Sequence, residues 1–179
     1  MLFGRGRVSE RVHLTATALV AFGTTMSAFW ILSLNSWMHT PAGYEIVNGQ
    51  FIPTGWLAVV FNPSLPYRLT HVLLASTLTA SFLIAGLSAW QLLKGNATRG
   101  THKAFRAAIF VAAAAMPLQF LASDAHGLNT LEHQPAKVAA IEGIWETERG
   151  ASLTLFGIPD KKERTTHFAI KIPKLASLV

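Results

Sequence analysis

The feature that most constrains this chain is a set of three apolar runs, at residues 12–34, 67–93 and 104–123, none of which contains Asp or Glu. A helix needs about 20 residues to cross the roughly 30 Å hydrocarbon layer of a bilayer. Each run reaches that length, and the chain of 179 residues is 51% hydrophobic and only 13% charged. The sequence therefore predicts an all-α integral membrane fold with three transmembrane helices.

The formal charge of +6 is concentrated in short basic segments that flank the apolar runs. Because Lys and Arg are enriched in cytoplasmic loops, we expect residues 1–11 and 94–103 in the cytoplasm and residues 36–66 and 124–179 outside. This placement argues for a membrane lipid environment and against nucleic acid as a partner. The cations concerned are Arg5, Arg7 and Arg11 before the first run, and Lys94, Arg99, Lys103 and Arg106 around the second connection.

The segments outside the runs carry weaker structural signals. Residues 36–66 contain aromatic, Pro and Gly residues typical of an ordered interfacial loop. Residues 135–145 place Val138, Ile141 and Trp145 on one helical face, which predicts a short surface helix. From His167 the residues alternate as in a strand. Pro117, near the outer end of the third run, predicts a kink or a helix end. We divide the chain into a transmembrane part, residues 1–123, and an outer part, residues 124–179.

His71 is the first candidate for chemistry, because an ionisable side chain within a span is costly and is a functional hypothesis by default. A neutral imidazole about one turn inside the second span could ligate a haem iron. The alternative is a hydrogen bond to a headgroup or to a neighbouring helix. His13 cannot share an iron with His71, because antiparallel spans separate them by more than about 20 Å. Met38, Met116, His39 and His126 are nearer than His13 to the depth of His71, and no spacing selects one of them.

Lys137 and Glu142 flank the predicted surface helix, where a carboxylate could accept a proton from a quinol and an ammonium could polarise an oxygen. Charged residues on an exposed helix are usually only solvated, so these two residues alone leave both interpretations open. The same holds for Asp124 at the exit of the third span. The absence of Cys excludes disulfides, thiolate metal sites and Cys nucleophiles.

Several ordered stretches of the chain resemble subunit I of cytochrome bd, the quinol-oxidising terminal oxidase of prokaryotic respiration. They are SAFWILSLNSWMHTPAGYE at residues 27–45, FNPSLPYRLTH at 61–71, GLNTLEHQPAKVAAIEGIWE at 127–146, LFGIPD at 155–160 and FAIKIPKLASL at 168–178. The segment HGLNTLEHQPAK, residues 126–137, is most similar to the cyanide-insensitive branch of that family. The family subunit has about nine spans, so this chain resembles its fourth to sixth helices and the N-terminal part of its extracytoplasmic quinol loop.

The resemblance implies a role for six residues. His71 matches the axial ligand of the low-spin haem b, and Lys137 and Glu142 match the pair in the quinol-binding loop. Asp124 matches the acidic position that opens this loop and is a plausible proton acceptor. Ser27 and Asn35 match polar positions near the oxygen-reducing haems or their proton path.

The resemblance also implies cofactors and partners whose binding residues are not all in this chain. The ligands of the high-spin haem b and of haem d match no part of the chain. The expected partners are ubiquinol or menaquinol, O2, subunit II and a small accessory subunit in a bacterial inner membrane. Two other functions stay open on the residues alone: a small cytochrome b anchor for quinone, and a transmembrane bundle without a cofactor.

Overall fold

A computed structural model describes residues 6–146 and 149–174 of the chain. Arg5 and the end of the FAIKIPKLASL stretch lie outside the described residues. The chain divides into two compact units, residues 1–120 and 121–179, and each is described by itself. The elements in chain order are α1 (Glu10–His39), β1 (Tyr44–Val47), β2 (Gln50–Pro53), α2 (Trp56–Val60), α3 (Leu65–Leu93), α4 (Arg99–His133), α5 (Pro135–Glu142), β3 (Leu153–Asp160) and β4 (Thr165–Ile172).

The three long helices α1, α3 and α4 confirm the predicted membrane architecture, since each is long and apolar enough to cross a bilayer. All three extend beyond the apolar runs. Helix α1 begins one residue after Ser9, whose Oγ accepts the Val12 N–H at 3.4 Å as an N-cap. Of the kink or helix end predicted at Pro117, the helix end is wrong, because helix α4 continues to His133. A proline removes one helical N–H without stopping the helix when the turns on both sides are otherwise intact.

Large apolar side chains on the long helices are exposed in the isolated chain, among them Leu14 at 71%, Phe110 at 75% and Leu93 at 88%. Small residues that are buried recur about one turn apart along two of these helices: Ser81, Ala85 and Ser88 on α3, and Ala108, Ala112 and Ala115 on α4. Small residues let membrane helices approach closely. The large side chains are therefore suited to lipid or to further helices.

Two side-chain pairs bridge α3 and α4. Thr101 Oγ1 donates to Gln91 Oε1 at 3.3 Å, and Gln119 Nε2 lies 3.0 Å from His71 Nδ1. Along each helix these two pairs are separated by about 27–30 Å at 1.5 Å per residue. Since this is about the thickness of the hydrocarbon layer, the bridges mark the two ends of one antiparallel helix pair.

A buried polar cluster ties the chain after α2 to the C-terminal end of α1. Asn62 is only 1% exposed, and its Nδ2 donates to Ser33 O at 3.2 Å and to Val59 O at 3.1 Å. Ser33 Oγ donates to Val60 O at 2.8 Å, and Thr40 Oγ1 donates to Asn62 Oδ1 at 3.4 Å. The predicted interfacial loop is thus ordered, and it also contains the antiparallel hairpin β1–β2.

The unit of residues 121–179 contains the end of α4, helix α5 and the antiparallel hairpin β3–β4. The predicted surface helix is observed as α5, which is capped after Glu142 by Gly143, with φ +65° in the left-handed region. The predicted strand is observed as β4. Thr166 links the β3–β4 hairpin to the residues that follow α5. Its Oγ1 donates to Gly143 O at 3.2 Å and accepts from Trp145 Nε1 at 3.1 Å. The two hairpins add small sheets to the helical membrane fold that the sequence predicts.

Candidate functional site

His71 lies on α3, two turns after the helix begins, and its side chain is half-buried. Its Nδ1 is 3.0 Å from the amide Nε2 of Gln119 on α4. The Gln119 side chain is also half-buried. The ring of His71 is therefore held by a polar side chain from a second helix rather than by its own helix alone.

Arg68 lies one turn before His71 on the same helix, and residues three apart share a helix face. Its Nη1 donates to Asn35 Oδ1 on α1 at 2.6 Å. Its Nε is buried and has no hydrogen-bond partner among the described residues. The structure thus brings Asn35, a predicted site residue, to the same end of α3 as His71.

His13 and Ser27 lie elsewhere on α1. His13 is about 33 Å along the helix axis from Asn35, so it lies far from His71. Ser27 is exposed and lies about 12 Å along the axis from Asn35, on the side towards His13. Ser27 therefore does not join the group of His71, Arg68 and Asn35 within this unit.

Glu142 borders an apolar pocket of about 410 Å³ in the second unit. Its Oε2 is buried and has no hydrogen-bond partner among the described residues. A buried carboxylate oxygen without a donor is costly, which is typical of a site that a ligand completes. The pocket is lined by Gly127, Thr130 and Leu131 of α4, by Pro135, Val138, Ala139, Ile141 and Glu142 of α5, and by Ile144 and Leu153.

The structure does not place the Lys137 ammonium in this pocket. Lys137 is exposed, and it lies five residues before Glu142, about 140° away around α5. The described residues contain no ion pair between these two side chains. Asp124 is also exposed, and it lies within α4 rather than in a loop.

A second charged cluster lies at the turn of the β3–β4 hairpin. Asp160, Glu163 and His167 bring possible metal-ligating atoms within 4.8 Å of one another. Asp160 Oδ1 accepts the backbone N–H groups of Lys162 at 2.7 Å and of Glu163 at 3.3 Å, and these bonds lower the pKa of Asp160 below its ordinary value. The cation of His167, 3.9 Å from Asp160 Oδ2, acts in the same direction when it is protonated. The three side chains are between 38% and 67% exposed, and the hydrogen bonds explain the cluster as a turn.

Three contact residues are not among those selected by sequence reasoning: Gln119, Arg68 and Thr166. For Gln119 a signal was present, because a carboxamide within an apolar run is costly unless it has a partner. Arg68 likewise lies inside the second run. Nothing in the local pattern around Thr166 indicates its two contacts.

The whole chain, residues 1–179, matches the family model described as cytochrome bd terminal oxidase subunit I. The chain belongs to this family. It is 36% identical over 173 residues to cytochrome bd ubiquinol oxidase subunit 1 of Bacillus subtilis (strain 168), covering 96% of this chain and 37% of that protein. It is 32% identical over 180 residues to cytochrome bd-II ubiquinol oxidase subunit 1 of Escherichia coli (strain K12), covering 99% of this chain and 35% of that protein.

The bd fold is also found among solved structures. The bd oxidase from Geobacillus thermodenitrificans matches with a TM-score of 0.81 and 33% identity over 99% of this chain and 41% of that one. The chain thus spans between 35% and 41% of the length of these three bd proteins. The resemblance of the sequence motifs to cytochrome bd is confirmed, and the family implies haem cofactors.

Proposed function

We propose that this chain carries the quinol-oxidising site and one haem ligand of a bacterial cytochrome bd oxidase, as part of subunit I. The observation that carries the proposal is the Glu142 carboxylate, which borders an apolar pocket with one oxygen buried and without a donor among the described residues. A pocket of about 410 Å³ is within the usual range for small ligands, roughly 300–1,000 Å³. Apolar walls with a single acceptor suit a quinol ring, whose hydroxyl groups can donate.

In this mechanism the apolar walls exclude water and orient the ring, and Glu142 Oε2 accepts a hydroxyl proton. Oxidation of a quinol to a quinone releases two electrons and two protons, so a base at the hydroxyl lowers the barrier to electron loss. We assign this role to Glu142. Lys137 is exposed on α5 and would act on the ligand only from the rim of the pocket. Asp124, which is exposed on α4, would be a further proton acceptor.

His71 and Arg68 fit the low-spin haem b that the family implies. His71 supplies a half-buried imidazole, and Arg68 supplies a buried Nε that has no partner among the described residues. Guanidinium groups pair well with carboxylates, so Arg68 suits a haem propionate. When bound, the haem supplies an iron that accepts one electron at a time. His71 would hold this iron through a ring nitrogen, while Asn35 would hold Arg68 through its 2.6 Å hydrogen bond.

The remaining parts of the proposal concern the assembled enzyme. A high-spin haem b and a haem d would be held by residues outside this chain, and they would supply the site at which O2 is reduced to water. The quinol would be ubiquinol, as in the names of the two ubiquinol oxidases above, or menaquinol, as in a 28% identical Bacillus subtilis subunit named as a putative menaquinol oxidase. Subunit II and a small accessory subunit would complete the complex, with Ser27 near the oxygen-reducing haems.

We further propose that the protein spans the inner membrane with residues 1–11 and 94–103 inside and residues 36–66 and 124–179 outside. The support is the basic charge of the two inner segments. Protons from the quinol would then be released outside, while protons for water formation would come from inside.

The Glu142→Gln variant tests the quinol site in the assembled oxidase. Removing a general base typically lowers the rate by about 10²–10⁴-fold, so we expect a fall of this order in quinol turnover with haem content unchanged. Steady-state quinol oxidation and a haem spectrum measure both quantities. The matched control is Glu132→Gln, because the Glu132 side chain is 78% exposed and should keep normal turnover. Normal turnover in Glu142→Gln would refute the assignment.

The His71→Ala variant tests the haem site independently. We expect the low-spin haem b signal to be lost, because the variant lacks the proposed iron ligand. The reduced-minus-oxidised absorption spectrum of the purified complex measures this. His13→Ala is the control and should retain the signal, since His13 lies far along α1. A low-spin signal that persists in His71→Ala would contradict the ligand role.

A further inference from the structure

We infer that Gln119 is a positioning residue for His71: its carboxamide fixes the tautomer of the imidazole and thereby tunes the reduction potential of the haem that His71 holds. This inference rests on the proposed role of His71 as a haem ligand. It adds a residue from a second helix, and it predicts the direction in which the potential moves when that residue changes.

The contact is specific in distance and in position. Gln119 Nε2 lies 3.0 Å from His71 Nδ1, within hydrogen-bond range. Both side chains are half-buried, and both belong to helices that are apolar enough to cross a membrane. A carboxamide in such a setting is costly without a partner, so the ring and the amide orient each other.

The chemistry of the ring decides which amide atom faces it when iron is bound. An imidazole that binds iron through Nε2 carries its proton on Nδ1, and that N–H needs an acceptor. Gln119 offers one, because a half-turn of its amide exchanges Nε2 for Oε1 at nearly the same position. When His71 Nδ1 is unprotonated, the amide N–H of Gln119 donates to it. When His71 Nδ1 carries the proton, Gln119 Oε1 accepts from it. Haem binding therefore selects the orientation in which Gln119 Oε1 accepts from His71.

An acceptor on Nδ1–H changes the electronics of the iron. Pulling the proton away from the ring makes the imidazole a stronger donor, which stabilises the ferric state and lowers the reduction potential. Removing the acceptor should raise the potential, and a carboxylate in its place should lower the potential further. A residue that only holds two helices together would not produce opposite shifts in these two variants.

The chain contains a matched control for the helix-bridging effect. Gln91 bridges the same two helices at their other end, where its Oε1 accepts from Thr101 Oγ1 at 3.3 Å. This bridge lies about 30 Å along α3 from His71. Gln91→Leu therefore removes an interhelical hydrogen bond of the same kind without touching the ring.

The experiment is a redox titration of the low-spin haem b band in the purified, fully assembled oxidase. We expect Gln119→Leu to raise the midpoint potential, Gln119→Glu to lower it, and Gln91→Leu to leave it at the unaltered value. Shifts of Gln119→Leu and Gln119→Glu in the same direction, or no shift in either, would overturn the inference. So would a shift in Gln91→Leu of the same size as in Gln119→Leu.

Two further outcomes keep the test decisive. If Gln119→Leu assembles no haem, Gln119→Glu decides alone, and a potential equal to or above that of the unaltered protein overturns the inference. If His71→Ala retains the low-spin haem, the proposed ligand role itself is wrong, whatever the Gln119 variants show. Loss of the signal in His71→Ala together with unshifted Gln119 variants refutes only the role of Gln119.

Discussion

His71 and Glu142, the two central side chains of the proposed function, are held in opposite ways. The His71 ring has a side-chain partner 3.0 Å away on another helix, whereas the Glu142 Oε2 is buried without a hydrogen-bond partner among the described residues. A permanent cofactor benefits from a ligand whose orientation is fixed in advance. An exchangeable substrate benefits from a polar atom that its own hydroxyl can satisfy. The difference suggests that the first unit is suited to keeping a bound cofactor and the second to exchanging a substrate.

The units also differ in how they are stabilised. In the first, buried polar side chains such as Asn62 tie segments together that are about thirty residues apart in sequence. In the second, the end of α5 is held by a left-handed glycine and by contacts of Thr166 with Gly143 and Trp145. Substitutions in the polar cluster of the first unit should therefore be the more damaging.

Asn62→Ala should have the largest effect on stability. It removes the buried hydrogen bonds to Ser33 O and Val59 O, whereas Thr40 Oγ1 keeps its bond to Ser36 O at 3.2 Å. A buried acceptor that loses its donor costs about 1–3 kcal/mol. We expect a loss of about 2 kcal/mol, measured as a lower thermal midpoint of the purified complex. Asn96→Ala, at an exposed position, is the control. Equal midpoints for the two variants would mean that the polar cluster does not hold the first unit together.

Gly157→Ala should have a smaller effect, confined to the second unit. A Cβ at residue 157 would lie 2.5 Å from Thr166 Cγ2, and such overpacking typically costs about 1–3 kcal/mol. Adding Thr166→Ser removes that methyl group and keeps the hydroxyl, so the double variant should recover most of the loss. Hydrogen exchange of α5 and of the β3–β4 hairpin measures the loss of protection. A double variant no better than Gly157→Ala would show that the close approach to Thr166 is not the cause.

The smallest effect should come from the turn at Asp160. Its folded-state pKa is below the unfolded value of about 3.9, so its contribution is fully present above that pH and is lost as the pH falls through the folded pKa. Hydrogen-exchange protection of β3–β4, corrected for intrinsic rates, should therefore be constant from neutral pH down to about pH 4 and fall below it. Asp160→Asn keeps an acceptor oxygen without the titration, so its profile should be flatter. Identical acid profiles would exclude this carboxylate as the cause.

Much of the outline of this protein follows from local sequence. The three apolar runs became α1, α3 and α4, residues 135–145 contained α5, and the alternation from His167 became part of β4. Helix ends were predicted less well: Pro117 predicted a kink or a helix end, and the helix continues past it, so that Asp124 lies inside α4. A single missing N–H is a weak stop signal where the residues on both sides favour helix.

By itself the sequence determined that the chain crosses a membrane and that His71 is an ionisable group within a span, because the cost of transferring each residue into hydrocarbon depends on that residue and its neighbours in the helix. The motifs determined the bd family. Only the tertiary structure decided that Gln119 meets His71, that Asn35 meets Arg68, and that Glu142 borders the pocket while Lys137 is exposed. These contacts join residues on different helices or different faces of one helix, and such meetings depend on how helices pack, which no local pattern specifies.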